Sequence, residues 1–228
     1  MVDHIFFLVN PGYEPERYKS VIEIVQNQKF SNYTLFTHTW GCEITESMRS
    51  HHCKTDTTMR YHGRNMETNP LSNGEISLFL NHIECLRNIR SSFSEGLFLI
   101  FESDVLLNDN FEENLKKVIT MSRNYTWDII NIGEGNAADL PKSRPIENSL
   151  QLYHEKINRC SEGILWNYNA VEKFLDYYEK TCDVDGPIDT KMDVFSEFVG
   201  GFDIYWAQPP LVYQGSVRCS HIFPSFLR

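Results

Sequence analysis

The sequence holds no C-x-x-C pair among its six cysteines, and their spacings fit no zinc module. It has no apolar run approaching the roughly 18 residues that suggest a membrane-spanning helix; the first, Ile5 to Val9, stops at Asn10-Pro11-Gly12. Met1-Val2-Asp3-His4 ahead of it supplies no basic n-region, so no signal peptide is read here. Cations are scarce: 21 Lys and Arg face 31 Asp and Glu, for a formal net charge of −10. That balance excludes nucleic-acid binding through a broad basic face. Also missing are internal repeats, low-complexity tracts, linkers, and a Gly-rich, Lys-bearing phosphate loop near the N-terminus, the last of which counts against a nucleotidyltransferase. These absences lead to the expectation of one domain over residues 1–228, intracellular and cytoplasmic, with its cysteines reduced.

What is present is an ordinary globular composition, 41% hydrophobic and 23% charged, with aromatics raised to 13%. The chain is organised around Leu97-Phe98-Leu99-Ile100-Phe101-Glu102-Ser103-Asp104-Val105-Leu106-Leu107, an apolar run with two acids set into it. Such a run, following Gly96, reads as a buried strand. Residues i and i+2 share one face of a strand, so Glu102 and Asp104 point at one place. Burying an ionised carboxylate is costly unless it is paired or metal-bound. A divalent cation with a taste for hard oxygen donors, Mg²⁺ or Mn²⁺, resolves that cost. The competing reading ends the strand at Phe101 and leaves Glu102-Ser103-Asp104 as a solvated turn.

Around this stretch, Ile5 to Val9 is a first strand, and Pro15 between two glutamates opens a helix with Val21, Ile22, Ile24 and Val25 on its apolar face. Tyr33 to Thr37 is a second strand. The β-α-β order predicts a parallel sheet with a ligand position at the carboxyl end of strand one. Residues 41–73 are polar and carry Arg49, His51, His52, Lys54, Arg60, His62 and Arg64. They read as a solvated loop or short helix, with a phosphate-meeting lid as the sharper alternative. His51-His52-Cys53, with Cys42 upstream, reads as a surface feature rather than a metal site.

Ser72 and Glu75 form a capping box ahead of Ile76, Phe79, Leu80, Ile83, Leu86 and Ile89 at helical spacing. His82 falls near that face and reads as a satisfied core histidine. Further on come a helix over Phe111 to Met121 capped by Asp109 or Asn110, a strand over Trp127 to Gly133, and an edge strand at Leu150 to His154. Then follow a strand over Ser161 to Trp166, a helix over Val171 to Tyr178 capped by Asn169, a helix from Ile188, and a strand at Ile204 to Ala207.

Four blocks stand in a telling order: Phe7-Leu8-Val9-Asn10 with Glu16-Arg17; Leu71-Ser72-Asn73-Gly74-Glu75-Ile76 with Asn81-His82; Phe101-Glu102-Ser103-Asp104-Val105; and Ile188-Asp189 with Pro209-Pro210-Leu211-Val212-Tyr213-Gln214 and Ser220-His221-Ile222. Together they resemble glycosyltransferase family 25, the lipopolysaccharide-type and procollagen-galactosyltransferase-type sugar transferases. The chain departs from the family's Leu-Glu-Asp-Asp-Val block at Ser103, which takes the place of the middle acid.

The resemblance implies an α/β fold, a single Rossmann-like GT-A domain with a mixed, mostly parallel central sheet flanked by helices. It implies an inverting, metal-dependent transfer of a hexose from a UDP-sugar, UDP-galactose or UDP-glucose, to a hydroxyl of a glycan or glycosylated protein. Asp104 is then expected as the Mn²⁺ or Mg²⁺ ligand, with Glu102 as a second ligand or an orienting group and His221 as a third ligand. Asn10 and Arg17 are expected near the nucleotide with those acids, and Asp189, with Asp193 second, as the general base. Glu75 is read as structural. A catalytically silent GT-A domain that binds a glycan or a partner protein is the alternative, which Ser103 keeps open.

Overall fold

The computed structural model describes residues 1–53, 60–61, 64–65, 70–135, 149–158 and 160–218, with 60–61, 64–65 and 198 described by backbone alone. Its centre is a seven-stranded sheet of β1 (His4–Leu8), β2 (Tyr33–Phe36), β5 (Leu97–Glu102), β7 (Ile129–Asn131), β8 (Gln151–Glu155), β9 (Gly163–Asn167) and β10 (Ile204–Gln208). The strand order is β2-β1-β5-β9-β7-β10-β8. The pairs β2-β1, β1-β5 and β7-β10 are parallel, and β9 and the edge strand β8 run against their neighbours. The sheet is therefore mixed but mostly parallel, as expected. Two small ribbons lie beside it, β3 (Arg60–Tyr61) with β4 (Arg64–Asn65), and β6 (Val105–Leu107) with β11 (Val212–Gln214).

Alternation along the strands sends side chains to two cores, one on each face. Phe6, Leu8, Phe98 and Ile100 pack on one side with α3 (Asn73–Ser92), α5 (Tyr168–Thr181) and α6 (Ile188–Val199). Ile5, Phe7, Leu99 and Phe101 pack on the other with α1 (Pro15–Gln28) and α4 (Phe111–Ser122). Both faces of the strands are covered by helices, which is why they read as continuous apolar runs rather than alternating ones.

Residues 41–52 hold a short 3-10 turn (Gly41–Glu43) and the helix α2 (Glu46–His52). His51 and His52 meet edge to face, and no two of the described cysteines are joined in a disulfide. The helix expected from Asn169 starts earlier: Asn167 is the cap, and its Oδ1 accepts from the Ala170 amide at 2.8 Å. Asn110 does precede α4, without a side-chain cap bond. Among the described residues no helix is long and apolar enough to cross a membrane.

The capping box at α3 forms as read. Ser72 Oγ accepts from the Glu75 amide at 3.2 Å, and Glu75 Oε2 accepts from the Ser72 amide at 2.7 Å. Two otherwise orphan donors at the helix start are satisfied. Ser72→Ala is expected to cost about 1 kcal/mol of folding stability, read as a lower urea midpoint at an unchanged slope. An unshifted midpoint would show that packing alone holds this end of the helix.

Candidate active site

A cleft of about 380 Å³ opens where β1 and β5 end. The chain leaves β1 toward β2 on one side and returns to β5 on the other. Open α/β sheets bind ligands at such a switch point. Leu8 and Glu102, register partners at the last rung of the β1-β5 pair, both line the cleft. Ser103 and Asp104 continue from them. Glu14 and Arg17 join from the start of α1, and Asn81 from α3, while Tyr13 and Trp40 also border the space.

The strand expected to carry both acids breaks between them. β5 ends at Glu102, β6 starts at Val105, and Ser103-Asp104 is a turn. The cause is a second set of backbone partners. β6 pairs with β11, the Gly215 amide donates to the Asp104 carbonyl at 2.7 Å, and the Ser216 amide donates to Asp104 Oδ2 at 3.1 Å. The two acids therefore reach one cleft through a turn, not through strand alternation. The turn is not solvated either: Glu102, Ser103 and Asp104 are 8%, 5% and 2% exposed.

Burying acids together shifts them. Glu102 is pushed up to about 8, first by burial and then by Asp104, against the pull of the Ser161 hydroxyl that donates to its Oε1 at 2.5 Å. Glu162, which sequence reading passed over, is 1% exposed and pushed up to about 7 by burial, with the Asp104 charge adding to it. Its Oε1 accepts from the Gly135 amide at 3.0 Å, and its Oε2 has no hydrogen-bond partner among the described residues. A Cβ at Gly133 would lie 2.5 Å from the Glu162 carboxyl carbon, so only glycine leaves room for this side chain. The one available signal was an acid directly before the buried run Gly163 to Trp166.

Arg17, expected near the nucleotide, lines the cleft within a buried triad. Its Nη1 donates to Ser103 Oγ at 2.9 Å and lies 3.2 Å from Glu14 Oε1, to which Ser103 Oγ also donates at 3.2 Å. Burial raises Glu14 while Arg17, Ser103 and the Asn10 amide pull it down. Ser103 thus ties the acidic turn to α1. Asn10 does not line the cleft. Its Oδ1 accepts from the Gly12 and Tyr13 amides, and its carbonyl from the Glu14 amide at 2.8 Å, so it shapes the turn that delivers Tyr13 and Glu14.

Asp189 and Asp193 sit on α6, outside the cleft lining. Asp189 is half-buried and accepts from the Cys160 amide at 3.0 Å and the Thr190 amide at 2.7 Å; its charge reaches Glu102. Asp193 is buried and accepts from the Asn158 amide. Both hold the segment that leads to Ser161 and Glu162. His221 lies outside the described residues. His82 is buried on α3 but is not the satisfied histidine expected: neither ring nitrogen has a partner among the described residues, and burial pushes it down to about 3.

The donor chemistry suits a hard cation. Asp104 Oδ1 is buried with no hydrogen-bond partner among the described residues, and Glu102 stands two residues away at the same cleft. Among the described residues, no group of three or more His, Cys, Asp or Glu is arranged to hold a metal. The described protein therefore offers a cation one or two carboxylates, which is a usual protein share of a Mg²⁺ shell.

Characterised protein sequences give no significant match. Among solved structures the chain is similar to the galactosyltransferase LgtC in complex with donor and acceptor sugar analogues, at 10% identity and a TM-score of 0.41, covering 89% of this chain and 72% of that one. An active-site mutant of LgtC gives 11% identity and a TM-score of 0.43 over the same shares. The model of glycosyltransferase family 25, described as a lipopolysaccharide-biosynthesis protein, matches residues 6–192 and thus takes in the capped α3, the acidic turn and Asp189. With that match over most of its length, the chain belongs to glycosyltransferase family 25.

Proposed function

We propose that this glycosyltransferase, a single domain over residues 1–228, moves a hexose from UDP-galactose or UDP-glucose to a hydroxyl of a glycan or glycosylated protein, with Mn²⁺ or Mg²⁺ and with inversion at the anomeric carbon. The observation that carries this reading is the buried Asp104 carboxylate, one oxygen unpartnered, in a cleft at the β1/β5 switch point. A buried carboxyl oxygen kept without a partner is expensive, and ligand binding is what would offset it.

Asp104 and Glu102 would hold the cation and orient the diphosphate. When bound, the cation supplies neutralisation of the charge that develops on the departing nucleoside diphosphate. Tyr13 and Trp40 offer ring faces on which a base or sugar can stack. Asp189 is the proposed base ahead of Asp193, because it is half-buried and electrostatically in touch with Glu102, whereas Asp193 is buried and accepts from the Asn158 amide. Proton transfer at the acceptor hydroxyl needs such a group within hydrogen-bond reach in the substrate complex. His221 is kept as the proposed third ligand.

The test is a screen of nucleotide sugars by thermal shift and by UDP release, with Mn²⁺ and with EDTA. A UDP-hexose that stabilises the protein and turns over only with metal, giving a product of opposite anomeric configuration by NMR, is the expected result. UDP binding without turnover across the panel would replace the enzyme reading with the binding-module one. A product of retained configuration would overturn inversion and, with it, the base role of Asp189.

A further inference from the structure

Glu14 is 4% exposed, lines the cleft, and has one oxygen without a hydrogen-bond partner among the described residues. Oε1 is taken by Arg17 and Ser103, the Asn10 backbone N–H also acts on the carboxyl, and Oε2 is buried with no partner of hydrogen-bond geometry among the described residues. Its position is over-determined. The Asn10 carbonyl anchors its amide, Pro15 starts the helix directly after it, and its carboxyl accepts from a hydroxyl in the acidic turn. A residue that merely neutralised Arg17 would have no need to line the cleft or to keep a second oxygen unpaired.

We infer that Glu14 Oε2 is a hydroxyl-binding position that reads the polyol part of the nucleotide-sugar donor. The inference rests on the donor reading proposed above. An ionised Glu14 accepts from a hydroxyl and a protonated one donates to it, so a hydroxyl is a partner in either state. A phosphate is not, because its ionised oxygens carry no proton to give to an ionised Glu14 and add like charge to it. Such hydroxyls come from two sources in a nucleotide sugar, the ribose and the hexose. Ser103 acts here as a positioning residue, since its hydroxyl orients Glu14 toward that ligand and ties it to the turn holding Glu102 and Asp104.

The experiment is calorimetric titration of the full chain, with Mn²⁺, using UDP, its 2′- and 3′-deoxy analogues, UDP-galactose and UDP-glucose. The proteins compared are wild type, Glu14→Gln and Glu14→Asp. The second variant keeps the charge beside Arg17 and withdraws the oxygen by one methylene, so it remains informative where loss of the buried ion pair unfolds the first.

A hydrogen bond to a charged group discriminates by about tenfold to a hundredfold. If the ribose is read, wild type prefers UDP to a deoxy analogue by that factor, and the variants lose the preference. If the hexose is read, the variants bind UDP as wild type does and the UDP-hexoses about tenfold or more weakly. Either pattern supports the inference. Equal binding of every ligand by wild type and variants overturns it, as does equal weakening toward all of them, the signature of a purely structural role. A wild-type protein that binds no UDP or UDP-hexose overturns the donor reading as well.

Discussion

Asp104→Asn is expected to lower hexose transfer by about a hundredfold to a thousandfold while leaving the melting temperature unchanged or raised. The two effects have one origin. The Asp104 carboxylate is 2% exposed, stands near Glu102 and Glu162, and leaves Oδ1 without a partner among the described residues. Folding this carboxyl group into place is costly, because Oδ1 is buried without a partner among the described residues while only Oδ2 has the Ser216 amide. Asparagine keeps an oxygen for the Ser216 amide and removes the charge, so the turn keeps its backbone partners and the repulsion on Glu102 falls. What is lost is the anionic oxygen proposed to meet the cation. UDP release and thermal melting on the same preparation check both halves. Wild-type turnover in Asp104→Asn would remove this residue from the chemistry, and a large drop in melting temperature would make its role one of folding.

The second large effect concerns His82 and acid. Burial holds the imidazole at about 3 in the folded protein against 6.5 for the free group. As pH falls below 6.5 the unfolded chain takes up a proton that the folded one refuses until about 3, so folding stability declines across that window. The slope is about 1.4 kcal/mol per pH unit, or about 2 kcal/mol between pH 6.5 and pH 5. His82→Leu fills similar space, leaves no orphan ring nitrogen, and removes the liability. Glu102 and Glu162, both raised, act in the opposite sense: the folded state holds their protons more tightly, so they favour folding as pH falls from about 8 toward 4.5. The total pH profile is therefore a sum, and the variant isolates one part of it. Urea unfolding at pH 7 and pH 5 should show a stability difference shifted by about 2 kcal/mol in His82→Leu relative to wild type. An identical difference in both proteins would mean that water or a neighbouring group reaches the ring.

His82 also marks where reading from sequence stopped. Its place on the buried face of α3 followed from helical periodicity, but whether its nitrogens found partners depended on residues far away in the chain. The same division holds at Glu14. Its place beside Pro15 identified a helix start, whereas its meeting with Ser103, 89 residues later, is a consequence of β1 and β5 being neighbours. Glu162 was invisible for the same reason. An acid before an apolar strand is common, and only the close approach of Gly133 and the presence of Glu102 make this one unusual.

Local and periodic information sufficed where the physics is local. The β-α-β opening, the Ser72-Glu75 cap, the apolar face of α3 and the two acids embedded in an aliphatic run are all set by neighbours a few residues apart, through side-chain reach and the 2.0 and 3.6 periods. The family's ordered blocks were legible too, because order along the chain survives folding. Tertiary structure alone decided how Glu102 and Asp104 come together. A uniform strand would have placed them by alternation, yet β11 claims Val105 to Leu107, and the Gly215 and Ser216 amides claim Asp104, so the chain turns between the two acids. Competition for backbone hydrogen bonds between segments more than a hundred residues apart has no trace in local spacing, and it is that competition which buries the acidic turn at the cleft.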